Sequence, residues 1–185
     1  GTQVFNPISS GFITATFPTT KSNPEVTFTF NGLDNAFASR ELLFTVQSKI
    51  TNNGAINSNT AKLRYKAVLK KDGNPAPKIT INYTEGNGAP FAASFTTDRQ
   101  GIAYFGPEGG ISPAGIVDLI YYGVTTPFKV TLEDIGEYSL TMSLVDLQDD
   151  YADVGAAATK TFTVKQASDA EQAVFRAEQA VAEFE

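Results

Sequence analysis

The chain has 185 residues, a formal net charge of -6, and no histidine, cysteine or tryptophan. Without imidazole or thiol it lacks the side chains that most often act as nucleophile, general base or transition-metal ligand near neutral pH, so most enzyme chemistries lose their usual parts. The acidic balance argues against nucleic acid, whose phosphates must be met by clustered Lys and Arg.

A chain of this length buries roughly 70% of the surface it exposes when unfolded, so one large β domain or two small ones can hold a core without disulfide or zinc. No apolar run is long enough to span a bilayer, and any export signal or anchor is expected outside this sequence. Absence of cysteine suits an extracellular bacterial surface and the cytoplasm equally.

Read in chain order, period-two alternation predicts half-buried strands with one apolar face each. They are Val26, Phe28, Phe30; Leu63, Tyr65, Ala67, Leu69; Ile79, Ile81, Tyr83; Tyr138, Leu140, Met142, Leu144; and Phe162, Val164. Turn formers separate them at Asn31 and Gly32, Asn52 to Gly54, Asp72 to Pro75, Gly86 to Gly88, and Gly109 with Gly110. No helical stretch intervenes to make parallel crossovers, so the expected class is all-β, an antiparallel sandwich. Lys62, Arg64, Lys66, Lys70 and Lys71 fall at alternate or turn positions of one strand and read as one solvated face. The stretch from Gly106 to Pro127 is broken by prolines and glycines and reads as a long connection carrying a short apolar segment, Ile116 to Tyr122.

At Ser168 the period changes. Ser168 and Glu171 form a capping box, and behind it Ala170, Val174, Ala177, Val181 and Phe184 make a heptad seam of about two and a half repeats. That length predicts a helix packing on its own domain or leading into a following one, rather than a coiled coil.

The series Asp134, Gly136, Tyr138 ahead of an alternating strand has the spacing of the tyrosine corner of immunoglobulin-type sandwiches, with Leu140 where antibody domains carry cysteine. Two turns, Lys71 to Pro77 and Thr97 to Ala103, place Gly73 and Gly101 at positions favouring positive φ. With Gly123 to Phe128 and Leu144 to Asp146, these residues resemble bacterial immunoglobulin-like repeats of surface proteins, over about Arg40 to Lys165. The Ala- and Glu-rich helix is similar to segments between modules of Gram-positive S-layer and cell-wall proteins. The resemblance implies residues 40–166 as an immunoglobulin-like sandwich and 167–185 as a helical linker. Residues 1–39 then supply N-terminal strands that extend the same sheet or form a small partner domain.

Four candidate chemistries follow from the residues. Asp146, Asp149, Asp150 and Asp153 lie in one loop and could supply oxygens to calcium, although their spacing does not match a twelve-residue calcium loop; the plainer reading is a solvated acidic loop. Tyr104 with Phe105 and Tyr121 with Tyr122 are adjacent pairs, so in a strand one of each points outward and could stack a sugar; otherwise Tyr104 and Tyr121 close the core edge. Glu108, Asp118, Glu133 and Asp134 are acids from which a glycosidase pair could be drawn, though nothing in their spacing makes any two converge. A Lys-to-Asn cross-link is set aside because no asparagine follows Asn87.

The combined expectation is a non-catalytic structural or adhesive module of an extracellular bacterial surface protein, acting by spacing and packing against neighbouring modules. A carbohydrate-binding module using Tyr104, Tyr121 and Tyr122, with cell-wall glycan as partner, is the alternative. Neither reading involves nucleic acid or membrane insertion by this segment.

Overall fold

The computed structural model of the chain describes residues 20–52, 54, 56–57, 62–83, 94–105 and 125–183. Its elements are β1 (Val26–Asn31), a 3-10 turn (Leu33–Asn35), β2 (Glu41–Ile50), β3 (Leu63–Lys71), β4 (Asn74–Pro75), β5 (Thr80–Tyr83), β6 (Ser94–Thr96), β7 (Ile102–Phe105), β8 (Thr125–Thr131), β9 (Gly136–Asp146), β10 (Ala158–Val164) and α1 (Asp169–Glu183). The strands pair antiparallel in two sheets, β1-β2-β8-β5-β6 and β10-β9-β3-β4, with β7 also paired to β3. In immunoglobulin lettering β1, β2, β8 and β5 take positions A, B, E and D, while β10, β9 and β3 take G, F and C. The chain is therefore an immunoglobulin-like antiparallel sandwich with a short C-terminal helix.

Alternation generates the core. On β3, Leu63, Tyr65, Ala67 and Leu69 are buried, and on β9 Tyr138, Leu140 and Met142 are buried. They face Leu42, Phe44 and Val46 of β2 and Phe128 and Val130 of β8 in the opposite sheet. Phe128 joins the layer from both sides, stacked on Phe44 with centroids 5.5 Å apart and edge-on to Phe95 at 5.9 Å. A polar bond crosses this interior, for Ser48 Oγ on β2 lies 2.8 Å from the Tyr65 hydroxyl on β3. Each group satisfies the other, so neither is left unpaired in an apolar layer.

Two strand features differ from the sequence expectation. β2 is a full ten-residue strand although Leu42 and Leu43 are consecutive apolar residues; Leu43 is 61% exposed, so it obscures the alternation without joining the core. Pro127 does not break a strand. It sits inside β8 opposite Thr45, ahead of Phe128 where pairing with β5 begins, so the β5 ladder asks no N–H of it. Of the two alternatives for the N-terminal segment, the described part, residues 20–39, extends the same sheet. β1 pairs with β2 from Val26↔Ile50 to Asn31↔Thr45, and Val26, Leu33 and Ala36 lie in the common core, so the boundary at residue 39 falls within one sandwich.

The β3–β4 connection is a two-residue hairpin turn, with Asp72 at φ 51° and Gly73 at φ 82° between the Lys71↔Asn74 pair. Two consecutive positive φ values match the right-handed twist of the flanking strands, which is why Asp-Gly occupies it. Among the described residues no helix is long and apolar enough to cross a membrane.

Burial raises the Tyr65 phenol above its ordinary value of 10.0, and Tyr138 and Tyr151 move in the same direction for the same first cause. A raised acid pKa in the folded state contributes stability that is complete below the unfolded value and is lost as pH rises past it. The melting temperature is therefore expected to hold steady through neutral pH and to fall above about pH 10. A Tyr65→Phe, Ser48→Ala double variant, which removes the phenol and the partner it would orphan, should show a shallower alkaline decline. An unchanged decline would assign it to other groups.

Candidate functional site

The E–F corner is fastened by several directional contacts. β8 ends at Thr131, Leu132 turns fully inward, and β9 starts at Gly136 in the opposite sheet, so the chain changes sheets within four residues. The Tyr138 hydroxyl donates to the Asp134 carbonyl at 2.9 Å, and its ring stacks on Phe162 of β10 with centroids 5.8 Å apart. The neighbouring β3–β4 turn secures the same corner. Asp72 N–H donates to the Glu137 carbonyl at 2.7 Å, and Glu137 N–H donates to Asp72 Oδ1 at 3.0 Å. That second bond, followed by the contact with Lys71, holds the Asp72 carboxyl below its ordinary range. A cleft of about 270 Å³ beside it is lined by Asp72, Pro75, Pro77, Asp134 and Tyr138. These groups satisfy backbone and position strands; they do not present a nucleophile.

The four aspartates of the loop after β9 are not brought to one point. Asp146 Oδ2 accepts from Tyr151 N–H at 3.0 Å, Asp153 Oδ1 accepts from Gly155 N–H at 3.0 Å, and Asp149 pairs with Lys21 at 3.0 Å. Among the described residues no group of three or more acidic side chains is placed to hold a metal ion. Of the calcium candidates Asp146, Asp149, Asp150 and Asp153, the first, second and fourth organise a loop in which Tyr151 is buried and its hydroxyl accepts from Asn57 N–H, while Asp146 Oδ1 and Asp150 Oδ2 are buried without a hydrogen-bond partner. Gly155 in that loop has φ 100° and passes so close to β1 that a Cβ would lie 2.6 Å from the Val26 nitrogen.

The glycosidase acids fare no better. Glu133 accepts from Ser39 Oγ at 2.7 Å at the sandwich rim, and the exposed Asp134 contributes its carbonyl to the corner. Glu108 and Asp118 lie outside the described residues, as do Tyr121 and Tyr122.

Tyr104 does not close the core edge. It projects from the outer face of β7, 42% exposed, with the Arg64 guanidinium 4.2 Å from its ring centroid. Arg64, Lys66 and Lys70 lie on that same outer face, whereas Lys71 sits at the turn beside Asp72.

The residues that dock the helix are what sequence reasoning missed. Its start follows the capping box, Glu171 N–H donating to Ser168 Oγ and Ser168 N–H to Glu171 Oε1, each at 3.1 Å. Yet the heptad seam does not dock, for Val174 and Val181 are 54% and 60% exposed. Docking runs through Phe175 instead, which meets Phe37 edge-on at 5.4 Å and carries the Arg40 guanidinium 3.5 Å above its ring. Arg40 then pairs with Glu178 at 2.8 Å. An aromatic residue lying off the seam was the signal available in the sequence. Between helix and sandwich an open groove of about 740 Å³ is lined by Ala38, Leu43, Gln172, Phe175 and Gln179, among others.

No protein-family model matches the chain, and no curated protein matches it. Among solved structures it is similar to a DUF4466 family protein from Parabacteroides merdae, at 10% identity and TM-score 0.39, over 77% of this chain and 45% of that one. The chain thus spans about half the length of that protein. It is also similar to an ASH/PapD-like domain of human CEP192, at 9% identity and TM-score 0.25, over 90% of this chain and 96% of that one. At these values neither likeness bears on function, and the fold assignment rests on strand order.

Two outcomes are expected at these sites. Tyr138→Phe keeps the ring stack and loses the bond to Asp134, costing about 1 kcal/mol in urea unfolding; a neutral result would show that the hydroxyl does not secure the corner. Calcium and chelator should leave the melting temperature unchanged, and a chelator-induced drop would restore the aspartates as ligands.

Proposed function

We propose that this chain is a non-catalytic structural module of an extracellular bacterial surface protein, serving to space and orient what it is joined to. The observation that carries the reading is the clamp of Phe37, Arg40, Phe175 and Glu178, which ties α1 to the sandwich rim. A helix held by ring contact, cation and ion pair together leaves its domain in one direction, whereas a flexible tether would not. The composition supports the same reading, since histidine and cysteine are absent from the whole sequence. Packing against neighbouring modules would use the exposed Val174 and Val181 seam that the clamp leaves outward. A second reading, a carbohydrate-binding module, is favoured by the outward Tyr104 ring.

Because the chain has no cysteine, two introduced ones report the geometry cleanly. Spin labels at Ser139→Cys and Ala182→Cys should give one narrow distance distribution. Adding Arg40→Ala with Phe175→Ala should broaden it. A broad distribution without those two substitutions would overturn the spacing role.

A further inference from the structure

Charge is unevenly distributed over this acidic molecule. Alternation that buries Leu63, Tyr65, Ala67 and Leu69 of β3 turns Arg64, Lys66 and Lys70 to the solvent face. In register, Lys66 lies between Tyr104 of β7 and Ser143 of β9, and Lys70 lies beside Ser139. Hydroxyls at Ser139, Thr141, Ser143, Thr159, Thr161 and Thr163 continue the rows, with the apolar Val68, Ile102 and Val145 among them; Thr141 and Thr159, for example, stand 2.7 Å apart across β9 and β10. Among the described residues, Glu137 is the only acid at an outward position of these four strands, at the far end, where it accepts from Thr163 Oγ1 at 3.1 Å. Neither Lys66 nor Lys70 has an ion-pair partner among the described residues. The opposite sheet differs, since there Lys129 is met by Glu41 at 3.6 Å.

We propose that the outer face of β10, β9, β3 and β7 binds an acidic polysaccharide, with Lys66 and Lys70 meeting its carboxylates and Tyr104 stacking a sugar ring. This rests on the carbohydrate-binding reading and adds the ligand's charge. Charge complementarity selects an anion: Lys66 and Lys70 stand on a face with one acid in a chain of net charge -6. The rest of the face selects a sugar. Rows of Ser and Thr offer donors and acceptors to ring hydroxyls, and Tyr104 is an aromatic surface fixed by the Arg64 guanidinium at 4.2 Å. Outward side chains of one strand recur every two residues, about 7 Å, and adjacent strands are about 5 Å apart, so the face is a regular grid suited to an extended repeating ligand. A nucleic acid would meet the same cations but also the long-range repulsion of the acidic whole.

The test is titration calorimetry of the full chain with polygalacturonate, its neutral methyl ester, dextran and polyglutamate. Polygalacturonate alone should bind, weakening about tenfold when salt rises from about 50 to 300 mM. Lys66→Glu with Lys70→Glu should abolish binding while leaving the melting temperature intact, because these side chains lie on the surface. If that pair misfolds, Lys66→Gln with Lys70→Gln should weaken binding by at least about tenfold, the loss of two charge contacts. Tyr104→Ala should weaken it about fivefold through lost stacking. Equal binding of the methyl ester without salt dependence would keep a carbohydrate-binding module and overturn the acidic ligand. Equal binding of polyglutamate would reduce the face to a general polyanion surface and overturn the sugar. Binding of none would overturn both the inference and the reading beneath it.

Discussion

Everything else in this molecule depends on two strands, β3 and β9, presenting alternate side chains to the opposing sheet. Leu63, Tyr65, Ala67 and Leu69 on one, and Tyr138, Leu140 and Met142 on the other, are buried because a strand turns successive residues to opposite faces. A slip of one residue in their pairing would turn that set to water and bring Arg64, Lys66 and Lys70 inward. The cost of burying three unpaired cations makes the observed register the one available. The same alternation therefore fixes the core and creates the basic outer face.

Three polar groups of this interior each meet a partner. Tyr65 finds Ser48 across the sheets, Thr97 Oγ1 donates to the Ala76 carbonyl at 2.7 Å, and Tyr138 brings its hydroxyl back to the corner. Each is a directional bond in a layer otherwise held by non-directional contact, and each ties strands of different sheets or a turn to a strand. Loops at both ends follow the same logic. Asp72, Asp98, Asp146 and Asp153 use carboxylate oxygens to satisfy backbone amides.

Placing the helix at the rim has a different origin. The Phe37 backbone bridges to Lys165, and Ala38 N–H donates to the Lys165 carbonyl at 2.8 Å, so the end of β10 is fixed beside the segment before β2. From that fixed start, one face of α1 meets Phe37 and Arg40. Geometry of the approach, rather than the most regular apolar stripe, decides which helix face is covered. Val174 and Val181 remain outward as a consequence.

By itself the sequence determined those properties that act over a few residues. Period two named the inward residues of β1, β3, β5, β9 and β10. Asp72-Gly73 named a hairpin turn, Ser168 with Glu171 a helix start, and the lack of histidine and cysteine a narrow range of chemistry. It did not reveal β2, where Leu43 interrupts the pattern, nor the strand containing Pro127, because the tolerance of that proline depends on where the neighbouring strand stops. Only the tertiary structure decided that Tyr104 faces outward, that Asp146, Asp149 and Asp153 serve separate partners, and that Phe175 rather than the seam anchors the helix. Those outcomes depend on which elements pair and cross at long range, and no local spacing encodes that distance.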